Sequence, residues 1–204
     1  MYCFFLNLYK KLNLQNYLNQ RQFCIVYIVK AFENNERRDL PVDKISEYIR
    51  LYGKDLTRLC LSLCKNPADA EDLYQSTWEK VLKNIKKYNN EKPFDKWLFA
   101  ICVNTHKDMV KSPFRKKILS FSKAEDLELT LNSIPDNIAP KDEFLSLHQA
   151  LSHLSLEKRQ AIALFYFKDY SAKEVAEILN IPEGTVKSRL SSAREQLRKE
   201  LEYE

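Results

Sequence analysis

A chain of 204 residues with 30% charged side chains, only 2 glycines and a formal net charge of +5 holds one medium domain or two small ones, water-facing and almost wholly helical. The mild basicity is compatible with a polyanionic partner. Five irregularly spaced cysteines exclude a disulfide framework, and no His cluster accompanies Cys60 and Cys64, so neither a metal nor a cofactor is expected.

Residues 1–40 are an N-terminal extension to which no function is assigned. Its apolar run, Phe23 to Phe32, is broken by Lys30 and preceded by Arg21, far short of the roughly 20 residues that span a bilayer. In MYCFFLNLYKKLNLQ the apolar residues precede the basic ones, the reverse of a secretory signal. Membrane insertion is therefore not expected, and a cytoplasmic location is. The extension is either a helical addition or a stretch before the natural start.

From Val42 the pattern turns regular over a first unit, residues 41–112. Ile45, Ile49, Tyr52, Leu56, Leu59 and Leu63 mark one helical face that Asn66-Pro67 ends. A second helix is predicted from Asp69, with Leu73, Trp78, Val81, Leu82 and Ile85 inside and an acidic first turn suited to a helix N-terminus. After a polar loop, Tyr88 to Pro93, a third helix starts near Phe94 and carries Trp97, Leu98, Ile101 and Met109. His106, His148 and His153 form neither a ligand set nor a nucleophile partnership and are read as surface or boundary residues. No reaction centre emerges.

Residues 113–141 read as a flexible linker, basic at Arg115 to Lys117, acidic around Glu125 to Glu128, and interrupted by Pro135 and Pro140. The second unit, 142–202, places Phe144, Leu147, Leu151 and Leu154 on one face, and Ser155 then caps a helix carrying Ile162, Phe165 and Phe167. Next, YSAKEVAEILNIPEGTVKSRLSSAREQLRK reads as two short helices joined by a tight turn. Ser171 and Glu174 form a capping box, Asn180 suits a left-handed turn residue, and Pro182 suits the start of the next helix. With Val186, Leu190 and Ala193 inward, Lys187, Ser188, Ser191, Ser192 and Arg194 are directed outward. This is a helix-turn-helix whose second helix carries the cations and hydroxyls that a major-groove reader needs.

PADAEDLYQSTWEKVLKNI, then KPFDKWLFAICVNTHKDMVK, then the helix-turn-helix resemble regions 2 and 4 of a sigma-70 superfamily factor of the extracytoplasmic-function (ECF) type, in the same order. The resemblance covers about Val42 to Leu201. It implies an all-α protein of two small helical domains, a region 2 three-helix unit and a region 4 helix-turn-helix, that binds core RNA polymerase and promoter DNA and opens the −10 element without being an enzyme.

Residue by residue, Asp69, Asp72, Gln75 and Trp78 match the helix that docks on the β′ clamp helices, and the β subunit is a further expected contact. Tyr88, Asn89, Asn90, Lys92, Phe94, Trp97, Asn104 and Lys107 match the −10 element reader. Rings there stack on unpaired bases, amides bond them, and cations, Lys96 and Lys111 included, meet freed phosphates. Phe94 and Trp97 also read as core anchors. Phe99 stands where the family has an Arg. Lys187, Ser188, Ser191 and Ser192 match readers of −35 bases, with Lys173, Thr185, Arg189 and Arg194 nearer the phosphates. An anti-sigma factor is a further implied partner. Two other readings explain less: a sigma mimic or anti-sigma-binding regulator needs no melting surface, and an operator-binding helix-turn-helix regulator leaves the Asp69 to Gln75 helix without a role.

Overall fold

The structure, a computed structural model, describes residues 42–112 except 90 and 92, and 141–202 except 168. The expectations for residues 1–40 and for the linker up to residue 140 fall outside the described residues. So do Asn90 and Lys92.

Helix α1 spans Val42–Leu63 and α2 spans Pro67–Asn84. The second helix begins two residues before the predicted Asp69, because the Asn66 side chain accepts from the Asp69 amide at 2.8 Å and Pro67 occupies the first turn. Asn66-Pro67 is thus both the end of one helix and the start of the next. A 3-10 turn, Ile85–Lys87, leads into the loop before α3, Phe94–Lys111. Leu59, Leu63, Leu73, Trp78, Val81, Leu98 and Phe99 fill the space between these three helices. Cys60 and Cys102 pack there as small apolar residues, their sulfurs 3.8 Å apart. The ion pair Lys80–Asp108, at 2.9 Å, ties α2 to α3 at the surface.

The second unit contains α4, Lys141–His153; α5, Leu156–Phe167; α6, Ala172–Leu179; and α7, Glu183–Glu202. Both halves of the capping box are formed: the Glu174 amide donates to the Ser171 hydroxyl, and the Ser171 amide donates to the Glu174 carboxylate. Asn180 is left-handed at φ 54°, which lets the Ile181 amide reach back to the Ala176 carbonyl at 3.1 Å and close the turn. Val186, Leu190, Ala193 and Leu197 bury one stripe of α7 against the unit's core.

The two units are docked on each other. Helix α5 packs on α1, and α6 packs on α3, so one continuous core runs through both. The seam is polar. Arg159 donates to the carbonyls of Leu63 at the end of α1 and of Ser152 and Leu154 at the end of α4, at 2.7–2.9 Å. Gln160, wholly buried, donates to the Val103 carbonyl of α3 at 3.1 Å.

His106 and His148 are buried at 4% and 8% exposure, correcting their reading as surface or boundary residues; only His153 is exposed. The unit-to-unit packing, invisible to local pattern, covers His148. Its Nε2 lies 3.2 Å from the Leu61 carbonyl, and burial, aided by nearby Arg159, lowers its pKa despite that bond. The fold therefore prefers the neutral ring. That contribution is complete above the unfolded value of about 6.5 and is lost as pH falls through it toward the folded value. The thermal midpoint should fall between about pH 7 and about pH 5.5, and should fall less in His148→Leu, as scanning calorimetry at each pH would show.

Candidate nucleic-acid interface

Around the start of α3 the aromatic residues converge. Phe94, 5% exposed, sits at the centre, stacked on Tyr48 at 3.8 Å with Tyr52 at 5.3 Å, Tyr88 edge-on at 5.3 Å and Trp97 at 5.6 Å. Phe94 is thus a core anchor with no free face. Tyr88 and Trp97, 4.9 Å apart, remain half-buried and supply the accessible rings. Tyr48 and Tyr52 belong to this cluster although only Tyr52 stood out in the sequence, and only as an inward residue of α1. Burial, with neighbouring tyrosines and Asp95, raises the Tyr88 hydroxyl pKa, so it stays a proton donor at neutral pH.

Asn89 accepts from the Glu91 amide at 2.9 Å, a side-chain turn that shapes the loop. Asn104 is exposed one face further along α3. Lys107 is half-buried toward α7, where burial and the cations Arg189 and Lys111 lower its pKa and only Glu157 opposes them. The structure therefore brings Lys107, expected at one DNA element, beside Arg189, expected at the other.

On α7 the outward row is as expected: Lys187, Ser188, Ser191, Ser192 and Arg194 are exposed, while Thr185 and Arg189 are half-buried at its edges. Lys173, on α6, is exposed too. Two of these cations have internal partners. Lys187 pairs with Glu183 one turn earlier at 2.7 Å, and Arg194 donates to the Tyr166 hydroxyl at 3.0 Å with its guanidinium over the Phe165 ring. Ser188 donates to the Thr185 carbonyl.

The start of α2 divides the remaining predicted set. Asp72 is exposed; Asp69 is half-buried and accepts from the Asn66 amide group at 3.0 Å; Gln75 donates to Glu71 at 3.0 Å. Trp78, read both as an inward residue of α2 and as a member of the docking set, has 0% exposure, and its ring lies in the core, as the first of the two readings has it. Close to Asp69, a groove of about 760 Å³ runs between the units, lined by Cys64, His106, Val110, Leu154 and Lys158 among others. Sequence reasoning missed the groove and the seam beside it, since both arise from helices far apart in the chain. Among the described residues no group of His, Cys, Asp and Glu side chains could hold a metal, and no helix is long and apolar enough to cross a membrane.

Residues 48–114 match the family described as Sigma-70 region 2, and residues 144–197 match Sigma-70, region 4. The chain is 31% identical over 167 residues to the ECF RNA polymerase sigma factor SigW of Bacillus subtilis, covering 78% of this chain and 89% of that protein. It is 30% identical over 154 residues to SigM of the same organism, covering 76% of this chain and 93% of that one. Its fold is similar to that of the sigma factor RpoE solved in complex with the anti-sigma factor NepR from Bartonella quintana, with a TM-score of 0.63 and 24% identity, covering 78% of this chain and 97% of that chain. Two region matches in order, joined to relatives of this identity and coverage, mean that the chain belongs to the ECF sigma factors of the sigma-70 family.

Proposed function

We propose that this sigma factor acts in transcription initiation by dividing promoter recognition between its two units. Helix α7 lies in the major groove of the −35 element; α3 and the loop before it hold the opened −10 strand; α2 carries the contact with core polymerase. The observation that carries this reading is the coexistence in one chain of a groove-reading helix, its apolar stripe buried and its Lys and Ser row exposed, with a separate half-exposed pair of rings at Tyr88 and Trp97. A duplex reader needs the first, and only a protein that captures unpaired bases needs the second. The polymerase supplies the phosphodiester chemistry, and this chain is a regulatory initiation factor.

An anti-sigma factor is the remaining expected partner. The groove beside Asp69 offers it apolar surface next to the polymerase-facing helix, so its binding there would compete with core polymerase.

Two variants test the division. Asp72→Lys should weaken core polymerase binding roughly tenfold, because it turns an attraction to a basic partner into a repulsion; fluorescence titration with core enzyme reads this directly. Lys187→Ala should weaken −35 duplex binding about tenfold and relax its base preference, while core binding stays unchanged. Breaking the Lys187–Glu183 pair itself costs little at so exposed a site. Unaltered duplex affinity in Lys187→Ala would move α7 out of the groove.

A further inference from the structure

The outward stripe of α7 begins before Lys187. Glu183, the first residue of that helix, stands one turn earlier on the same exposed face, and Ser191 stands one turn beyond. Helical side chains lean toward the N-terminus, so the Lys187 ammonium is carried back over the first turn, where it meets the Glu183 carboxylate at 2.7 Å. Lys187, supported by Lys173 on α6, holds the Glu183 carboxyl below the usual carboxylate range, and the acid is ionised at neutral pH. Among the described residues this end of the helix is left open: a methyl group added at Gly184 would meet nothing beyond its immediate neighbours within 4 Å.

An anionic acceptor and a cationic donor thus stand side by side at the leading end of the groove-reading helix, the end whose residues contact base edges in helix-turn-helix proteins. A G·C pair offers the complement. In the major groove its cytosine N4 amino group donates and its guanine O6 accepts, and the two lie about 2.9 Å apart because they bond each other. The carboxylate fits over N4 and the ammonium over O6, with guanine N7 as a second acceptor for the ammonium. An A·T pair also sets a donor beside an acceptor, but that acceptor is thymine O4, with a methyl group in place of a second acceptor. Lys187 and Lys173 offset the carboxylate charge that DNA phosphates would otherwise repel.

We propose that Glu183 is a specificity-determining residue, and that the Glu183–Lys187 ion pair reads one G·C pair of the −35 element as a unit, Glu183 taking the cytosine and Lys187 the guanine. This rests on the promoter-recognition reading above. It adds an acid to a surface otherwise made of cations and hydroxyls, and it gives both bases of one pair to two side chains a single turn apart. Exchanging the guanine and cytosine between strands sets O6 against the carboxylate and N4 against the ammonium, which weakens binding roughly tenfold.

Holoenzyme assembled from the full chain and bacterial core polymerase tests this when it is offered the duplex upstream of its own gene with the −35 segment randomised, and the retained fraction is sequenced. The wild type should enrich one G·C pair, in a fixed orientation, roughly tenfold over any other pair at that position. Glu183→Gln should move the preference on the cytosine strand toward adenine, because a carboxamide pairs with adenine N6 and N7. Lys187→Ala should relax the guanine of the same pair. Unchanged selection by Glu183→Gln, or a loss of retention equal for all sequences, would overturn the proposal, since a carboxylate that only faces the positive end of the helix dipole has no part in base preference. Changes at two different positions in the two variants would overturn the joint reading of one pair. A wild-type holoenzyme that enriches no −35 sequence at all defeats the promoter-recognition reading itself, and the proposal with it.

Discussion

Replacing Trp78 with alanine should destabilise the protein by about 3–5 kcal/mol. The ring is fully enclosed on α2, edge-on to Tyr74 at 6.4 Å, in the buried core. Removing it leaves a cavity that three packed helices cannot all collapse into. The indole nitrogen is buried without a hydrogen-bond partner. Trp78→Phe should therefore cost much less than the alanine change, because the loss of packing is partly offset by removing an unsatisfied donor. Urea denaturation followed by circular dichroism measures both. A small effect of Trp78→Ala, accompanied by a large loss of polymerase affinity, would instead restore Trp78 to the contact surface.

Arg159→Ala should cost about 3 kcal/mol and uncouple the two units. One guanidinium donates to the last carbonyls of α1 and of α4 at once, groups that a helix end leaves without intrahelical partners. At 5% exposure it meets the negative ends of two helix dipoles in place of water. Burial lowers its pKa, yet an arginine keeps its charge through such a shift. Arg159→Lys should recover little, since a single ammonium cannot span three carbonyls held by a planar fork. A single cooperative unfolding transition in the wild type that splits into two in Arg159→Ala is the expected signature; an unchanged midpoint would mean that the seam contributes nothing to stability.

What the sequence disclosed was local. The Ser171 box, the left-handed Asn180 and the buried stripe Val186, Leu190 and Ala193 depend on residues within a turn or two of each other, and all stand as read. The start of α2 was misplaced because Asn66-Pro67 carries two signals at once, a stop and a cap, and only the stop was read. The seam escaped for a different reason. Arg159 and Gln160 are polar residues on a short helix, and polar residues at helical spacing ordinarily mark a solvent face. Only packing against α1 and α3, from residues 96 and 57 positions away, buries them. Phe94 was left between two roles, and the Tyr48 ring stacked on it decides for the core. Trp78 stood both among the inward residues of α2 and among positions matching the family's polymerase-docking set, and its full burial favours the first.

The most direct test of sigma activity is run-off transcription with purified protein and bacterial core polymerase on the duplex upstream of its own gene, with permanganate footprinting of the −10 segment. Transcripts that require the protein, together with reactive thymines confined to that segment, are the result expected. Core binding without strand opening, or duplex binding that ignores core polymerase, would contradict it.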